Sequence, residues 1–123
     1  MLVLDTNAII YHLSGETEVS DFLSLVIQRH EVIIVPTIVA VEFLSFPAVT
    51  PVQANQFNIF LSQVQVATLE LPVAQLAATI RRENKMHLAD ATIAATALSY
   101  GAILVTRNVR DFRNIKTLRL HKI

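Results

Sequence analysis

Along the chain, short continuous apolar runs alternate with longer segments in which apolar residues recur every three or four positions. The continuous runs read as buried strands and the recurring ones as helices packed on a core. Leu2–Leu4 is the first strand, followed by a helix through Ala8–Leu13. Over residues 18–29, Val19, Phe22, Leu23, Val26 and Ile27 fall at helical intervals. Val32–Val35 is the second strand, ended by Pro36-Thr37, and residues 38–45 form a short, mostly apolar helix carrying one carboxylate. Thr50-Pro51-Val52-Gln53 sets a helix start, with Thr as N-cap, Pro in the first helical position and Gln where a capping box needs it. That helix runs through Phe57, Phe60, Leu61 and Val64. Val66–Leu71 is predicted as the third strand, and Pro72 opens a helix with Val73, Leu76, Ala77 and Ile80 on one face. Leu88–Tyr100 is a further helix, closed by Gly101 as a left-handed cap. Ala102–Val105 is the fourth strand, and the segment from Ile115, reading as strand through Leu118, supplies the fifth.

This alternation predicts a single α/β domain over residues 1–123: three layers, with helices flanking a mainly parallel sheet. In a doubly wound sheet of order 3-2-1-4-5, ligands sit outside the carboxyl ends of the strands, where strand order reverses between strands one and four. No linker, repeat or low-complexity stretch interrupts the pattern.

Composition narrows the class. The chain is 53% hydrophobic and 16% charged and has no Cys. That excludes disorder, a disulfide scaffold and a Cys-ligated metal centre. It opens directly on Leu2-Val3-Leu4 with no cationic leader, and no apolar stretch is long enough to span a bilayer, so a soluble, cytoplasmic protein without membrane attachment is expected. Ten bases balance ten acids, yet residues 1–80 hold one base and seven acids while residues 81–123 hold nine bases and three acids. Such asymmetry points to an anionic partner.

The acids fall where the fold predicts chemistry. Asp5 follows the first strand directly and also suits a helix N-cap; the two roles are compatible. Glu42 is almost the only ionisable group in Thr37–Leu44, a setting costly for a carboxylate unless it is paired or bound to metal. Asp90 opens a small, apolar helix, where it either answers the helix dipole or meets a partner. After the fourth strand come Thr106, Asn108 and Asp111, for which a short capped turn is the purely structural account. Acids converging on one crevice repel one another. Mg²⁺ or Mn²⁺, hard ions that prefer oxygen ligands, would relieve that repulsion and support metal-dependent phosphodiester hydrolysis.

Four blocks then stand out in order: Leu4-Asp5-Thr6-Asn7; Ala40-Val41-Glu42; Leu88-Ala89-Asp90-Ala91 with Ile93–Ala97; and Leu104-Val105-Thr106-Arg107-Asn108 ending in Asp111-Phe112. Together they resemble the PIN-domain nucleases and, within them, the VapC-like toxins of prokaryotic type II toxin–antitoxin pairs. The resemblance implies a PIN-like fold and an endoribonuclease acting on RNA. It also implies a homodimer, a cognate antitoxin whose tail covers the active site, and a higher toxin–antitoxin assembly. By resemblance, Asp5, Glu42 and Asp90 are the core metal-binding acids, supported by Thr6, Asn7 and Thr106. The family often places a fourth acid directly after the Thr-Arg pair; here that position is Asn108, and Asp111 is the alternative source of the charge.

Six bases recur at intervals of three: Arg107, Arg110, Arg113, Lys116, Arg119 and Lys122. They read either as a scattered, solvated edge or, for Arg107 and Arg110 together with Arg81, Arg82 and Lys85, as phosphate contacts beside the metal site. With no Trp and two Tyr, an aromatic stacking platform is not expected. His87, three residues before Asp90, is the one histidine near the acids. Two other classes fit parts of the pattern. An aspartyl-phosphate phosphatase would use Asp5 as nucleophile, but Asn7 cannot serve as its acid. A catalytically weak or inactive PIN-like module would only bind RNA or protein.

Overall fold

The continuous apolar runs become the three central strands of one five-stranded sheet, and mixed, more exposed segments form its two edges. The computed structural model describes residues Met1–Ile123. Its strands are β1 (Leu2–Leu4), β2 (Ile33–Pro36), β3 (Gln65–Ala67), β4 (Ile103–Thr106) and β5 (Arg119–Lys122). The helices are α1 (Thr6–Leu13), α2 (Thr17–Gln28), α3 (Thr37–Leu44), α4 (Pro51–Leu61), α5 (Leu71–Asn84), α6 (Leu88–Tyr100) and α7 (Val109–Phe112). Strand order is β3-β2-β1-β4-β5, as the sequence predicts, and every pairing is parallel. The result is a three-layer α/β domain whose order reverses at β1 and β4. Leu4 lies beside Val105 in register, so Asp5, just past β1, comes beside Thr106, the last residue of β4.

β1 and β2 are buried along their whole length, which is why they carry no polar alternation. α6 packs against α5, α3, β1 and β4, and residues 91–97 are all buried. Its run of Ala and Thr suits that position, because small side chains let the helix approach its neighbours closely. Thr92 and Thr96 return their hydroxyls to the carbonyls of Leu88 and Thr92, at 2.8 and 2.9 Å, so no polar group is left unpaired there. The capping box forms: Gln53 N–H donates to Thr50 Oγ1 at 3.1 Å, and Thr50 N–H to Gln53 Oε1 at 3.0 Å. Gly101 closes α6 with φ 59°, and Lys85 closes α5 in the same left-handed region at φ 52°.

Several boundaries differ from expectation. β2 lies one residue later than Val32–Val35, and α4 is closed by Ser62, so it ends at Leu61 and leaves Val64 outside the helix. β3 stops at Ala67 instead of reaching Leu71, because Glu70 is the extended N-cap of α5 and Leu71 already belongs to that helix, with Pro72 in its first turn. Ile115–Leu118 is a turn; Thr117 takes φ 69°, which a strand cannot hold, and pairing begins only at Arg119. β4 lies one residue later than predicted, which brings Thr106 into the strand as its last residue. No helix is long and apolar enough to cross a membrane.

The close fit around α6 gives a direct test. Ala94→Leu inserts three carbons where the native side chain is fully buried. It should cost about 1–3 kcal/mol, read as a lower urea midpoint at unchanged slope.

Candidate active site

Asp5 leaves the carboxyl end of β1 and turns at once into α1. Its backbone is extended (φ −79°, ψ 171°), the geometry of an N-cap, and its Oδ1 accepts the Ala8 N–H at 2.8 Å. Oδ2 accepts the Thr106 hydroxyl from β4 at 2.5 Å, and Thr106 Oγ1 in turn accepts the Asn108 N–H at 3.0 Å. The carboxylate is therefore cap and site residue at once, buried with only 5% of its surface exposed. Burial raises its pKa above the ordinary value; the bonds from Thr106 and Ala8 pull the other way, and the Glu42 charge adds to the rise.

Glu42 projects from α3, the helix entered directly from β2. Thr6, the first residue of α1, donates its hydroxyl to Glu42 Oε1 at 2.5 Å, joining the two helices. Asp90 sits in the first turn of α6, where the positive end of the helix favours an anion. Its pKa is raised, first by burial and then by the charges of Glu42, Asp111 and Asp5, with His87 opposing. The charges of three other acids, from the end of β1, from α3 and from α7, thus reach Asp90.

Asp5, Glu42 and Asp90 line one cavity of about 340 Å³, together with Thr6, Asn7 and the turn Ser45-Phe46-Pro47. Asp90 also borders a second cavity of about 280 Å³, with Lys85, His87, Arg110 and Asp111. Asp111 is exposed there and accepts a hydrogen bond from the Asn108 side-chain amide. Asn108 borders neither cavity; it acts on Asp111.

Every donor in the acid set is a hard oxygen, and the crowded charge at Asp90 is what a divalent cation would neutralise, so the residues fit Mg²⁺ or Mn²⁺ in kind. As the side chains stand, no three Asp, Glu or His are gathered closely enough to enclose an ion. Thr6 and Thr106 hold one oxygen each of Glu42 and Asp5.

The bases divide differently from the sequence reading. Arg107 is not beside the acids. Its guanidinium pairs with Glu16 and lies 3.9 Å over the Tyr11 ring, and its Nε donates to the Ile123 carbonyl at 3.3 Å. Thr106, the last residue of β4, gives its hydroxyl to Asp5, and just past the strand Arg107 is held instead by Glu16, the Tyr11 ring and the Ile123 carbonyl. Arg110 and Lys85 do border the second acid cavity, whereas Arg81 and Arg82, again with Lys85, line a groove between α5 and α6. The three-residue interval spans α7, a turn and β5, so those bases share no face. Sequence reasoning missed Ser45, Phe46 and Pro47, whose only signal is their place just after the Glu42 helix. It also missed Glu16, which no motif marks.

The PIN domain family model matches residues 2–118. No curated protein matches the chain. Among solved structures, a toxin–antitoxin complex from Klebsiella pneumoniae is 26% identical, covers 100% of both chains and superposes with a TM-score of 0.82. VapBC2 from Rickettsia felis, bound to a DNA fragment from its promoter, is 23% identical, with 99% of this chain and 98% of that one covered and a TM-score of 0.86. DNA-bound VapBC from Salmonella typhimurium is 22% identical over 98% and 96% of the two chains, with a TM-score of 0.80. With a family match over nearly its whole length, the chain belongs to the PIN domain family.

Proposed function

We propose that the chain is a Mg²⁺- or Mn²⁺-dependent endoribonuclease, the toxin of a type II toxin–antitoxin pair acting in the cytoplasm. The observation that carries this reading is the meeting of Asp5, Glu42 and Asp90, from three separate elements, on one polar cavity in a PIN-family chain. The likeness to a toxin–antitoxin complex over the full length of both chains supports an antitoxin as partner. A homodimer within a larger toxin–antitoxin assembly is the form this reading expects.

Asp5, Glu42 and Asp90 would hold the ion, and Asp111, oriented by Asn108, would be the fourth carboxylate. When bound, such an ion neutralises charge on the phosphate and lowers the pKa of an attacking water. The chain's own residues do the rest. Thr106 and Thr6 each fix one oxygen of Asp5 and Glu42, which orients the other lone pairs toward the cavity. Asn7 is exposed at the cavity's rim with an amide that can donate to a phosphate oxygen. Arg110, across from Asp90, offers a guanidinium for the phosphate itself.

Two outcomes test the reading. A carboxylate with a raised folded-state pKa ionises more readily in the unfolded chain, so the metal-free fold loses stability as pH climbs from 3.8 through the raised value of Asp90. At neutral pH, Asp90→Asn removes that penalty: without metal its Tm exceeds that of the natural chain. Mn²⁺ raises the natural Tm by linkage and leaves that of the variant unmoved; equal Mn²⁺ shifts in both would take Asp90 out of the ion site.

For catalysis, Asp5→Asn preserves the acceptor for Ala8 N–H and with it the cap but replaces the acceptor of the Thr106 hydroxyl by an amide, so its Tm is read beside its activity. Asp5→Asn and Glu42→Gln should each slow Mn²⁺-dependent cleavage of single-stranded RNA by at least about a hundredfold, the scale of losing one group from a charge-stabilising site. Undiminished cleavage by both would overturn the assignment.

A further inference from the structure

Three cavities on the α6 side of the molecule share their borders. Asp90 lines both acid cavities, and Lys85 and Met86 line both the second acid cavity and the groove between α5 and α6. That groove, about 520 Å³, is the largest of the three, and no acidic residue lines it. Its floor is Ala74, Ala77 and Ala78, whose small side chains leave room for a flat ring. Leu69 and Leu88 stand at its sides, 47% and 61% exposed. Arg81, Arg82 and Lys85 supply its charge, and all three are exposed.

From this continuity we infer that the α5–α6 groove carries the strand of single-stranded RNA that flanks the cleaved phosphate. The inference rests on the nuclease reading above and extends it. Phosphates of the flanking nucleotides meet Arg82 and Lys85, and one base lies on the aliphatic surface of Leu88 and Met86. Two features favour a nucleic acid over a purely apolar occupant. The groove's cations are uncompensated by any acid in its lining, and they lead through Lys85 directly to the cavity that holds Asp90 and Arg110. Lys85 also caps α5 in the left-handed region, at φ 52°. A side chain other than glycine rarely adopts that backbone, and here it puts a cation at the border between groove and site. Arg81 plays a different part, since its Nε donates to the Met86 carbonyl at 3.3 Å and holds the α5–α6 connection.

The test is RNA binding by the full chain in EDTA, where no cleavage occurs, read by fluorescence anisotropy of a labelled single-stranded oligonucleotide across a range of salt concentrations. Arg82→Gln and Lys85→Gln should each weaken binding and each reduce the slope of log K against log salt by about 0.7, the value for one phosphate contact to a single strand. Leu88→Ser should weaken binding and leave the slope unchanged, as an apolar contact requires. All three positions are exposed, and an unchanged Tm for each variant shows that folding is not what has altered. Unchanged affinity and slope in the variants, with a natural chain that binds RNA and cleaves it in Mn²⁺, would overturn the groove while sparing the nuclease reading. A change in sedimentation at unchanged RNA affinity would make the groove a self-association face and overturn it as well. A natural chain that neither binds nor cleaves RNA would sink both readings together.

Discussion

The buried carboxylate of Asp5 is the point on which the sheet, a helix and the acid site all depend. It ends β1, caps α1 through the Ala8 N–H, and receives β4 through the Thr106 hydroxyl. An ionised group with so little exposure is tolerable only when its oxygens are satisfied, and here the backbone of one element and the side chain of another satisfy them. The strand reversal between β1 and β4 is therefore more than a convenient crevice. It is closed by the same carboxylate that lines the crevice, so the geometry of the crevice is fixed by the interactions that hold the switch point together.

Around that anchor, charge is sorted by element. The acids come from the loops and helices that leave β1, β2 and β4 and from the start of α6, and the charges of the others raise the proton affinity of Asp90. The bases of α5 and α7 lie to the far side of Asp90, lining the groove and the second cavity. Net neutrality hides this separation. Arg107 stands apart from both sets: packed on Tyr11 and paired with Glu16, it ties the end of β4 to α1 and to the start of α2.

Much of this was legible in the amino-acid order because the responsible forces are local. Continuous apolar runs must be buried on both faces, Thr50 and Gln53 must cap, and Gly101 must turn, whatever the rest of the chain does. Strand order and the convergence of Asp5, Glu42 and Asp90 followed from those elements together with the resemblance. What stayed hidden was set by tertiary contacts. The direction Arg107 takes is set by Glu16, the Tyr11 ring and the Ile123 carbonyl, partners that lie far from it in the sequence. β5 begins later than its β-branched and apolar residues suggest because Thr117 is in a left-handed turn. The sharing of Lys85, Met86 and Asp90 between cavities is a property of packed surfaces that no motif encodes.

The distance along the chain between Asp5 and Thr106 has a consequence for biosynthesis. These partners are 101 residues apart, and β1 leaves a ribosome well before β4, which it meets only once the chain between them has been made. Until then Asp5 lacks its hydroxyl donor, β1 lacks one of its two neighbours, and α7, which bears Asp111, has not emerged. Glu42 and Asp90 have no completed crevice to share. A nascent chain interrupted before β4 cannot assemble the site, so synthesis itself delays the appearance of activity until the fold can form as a whole.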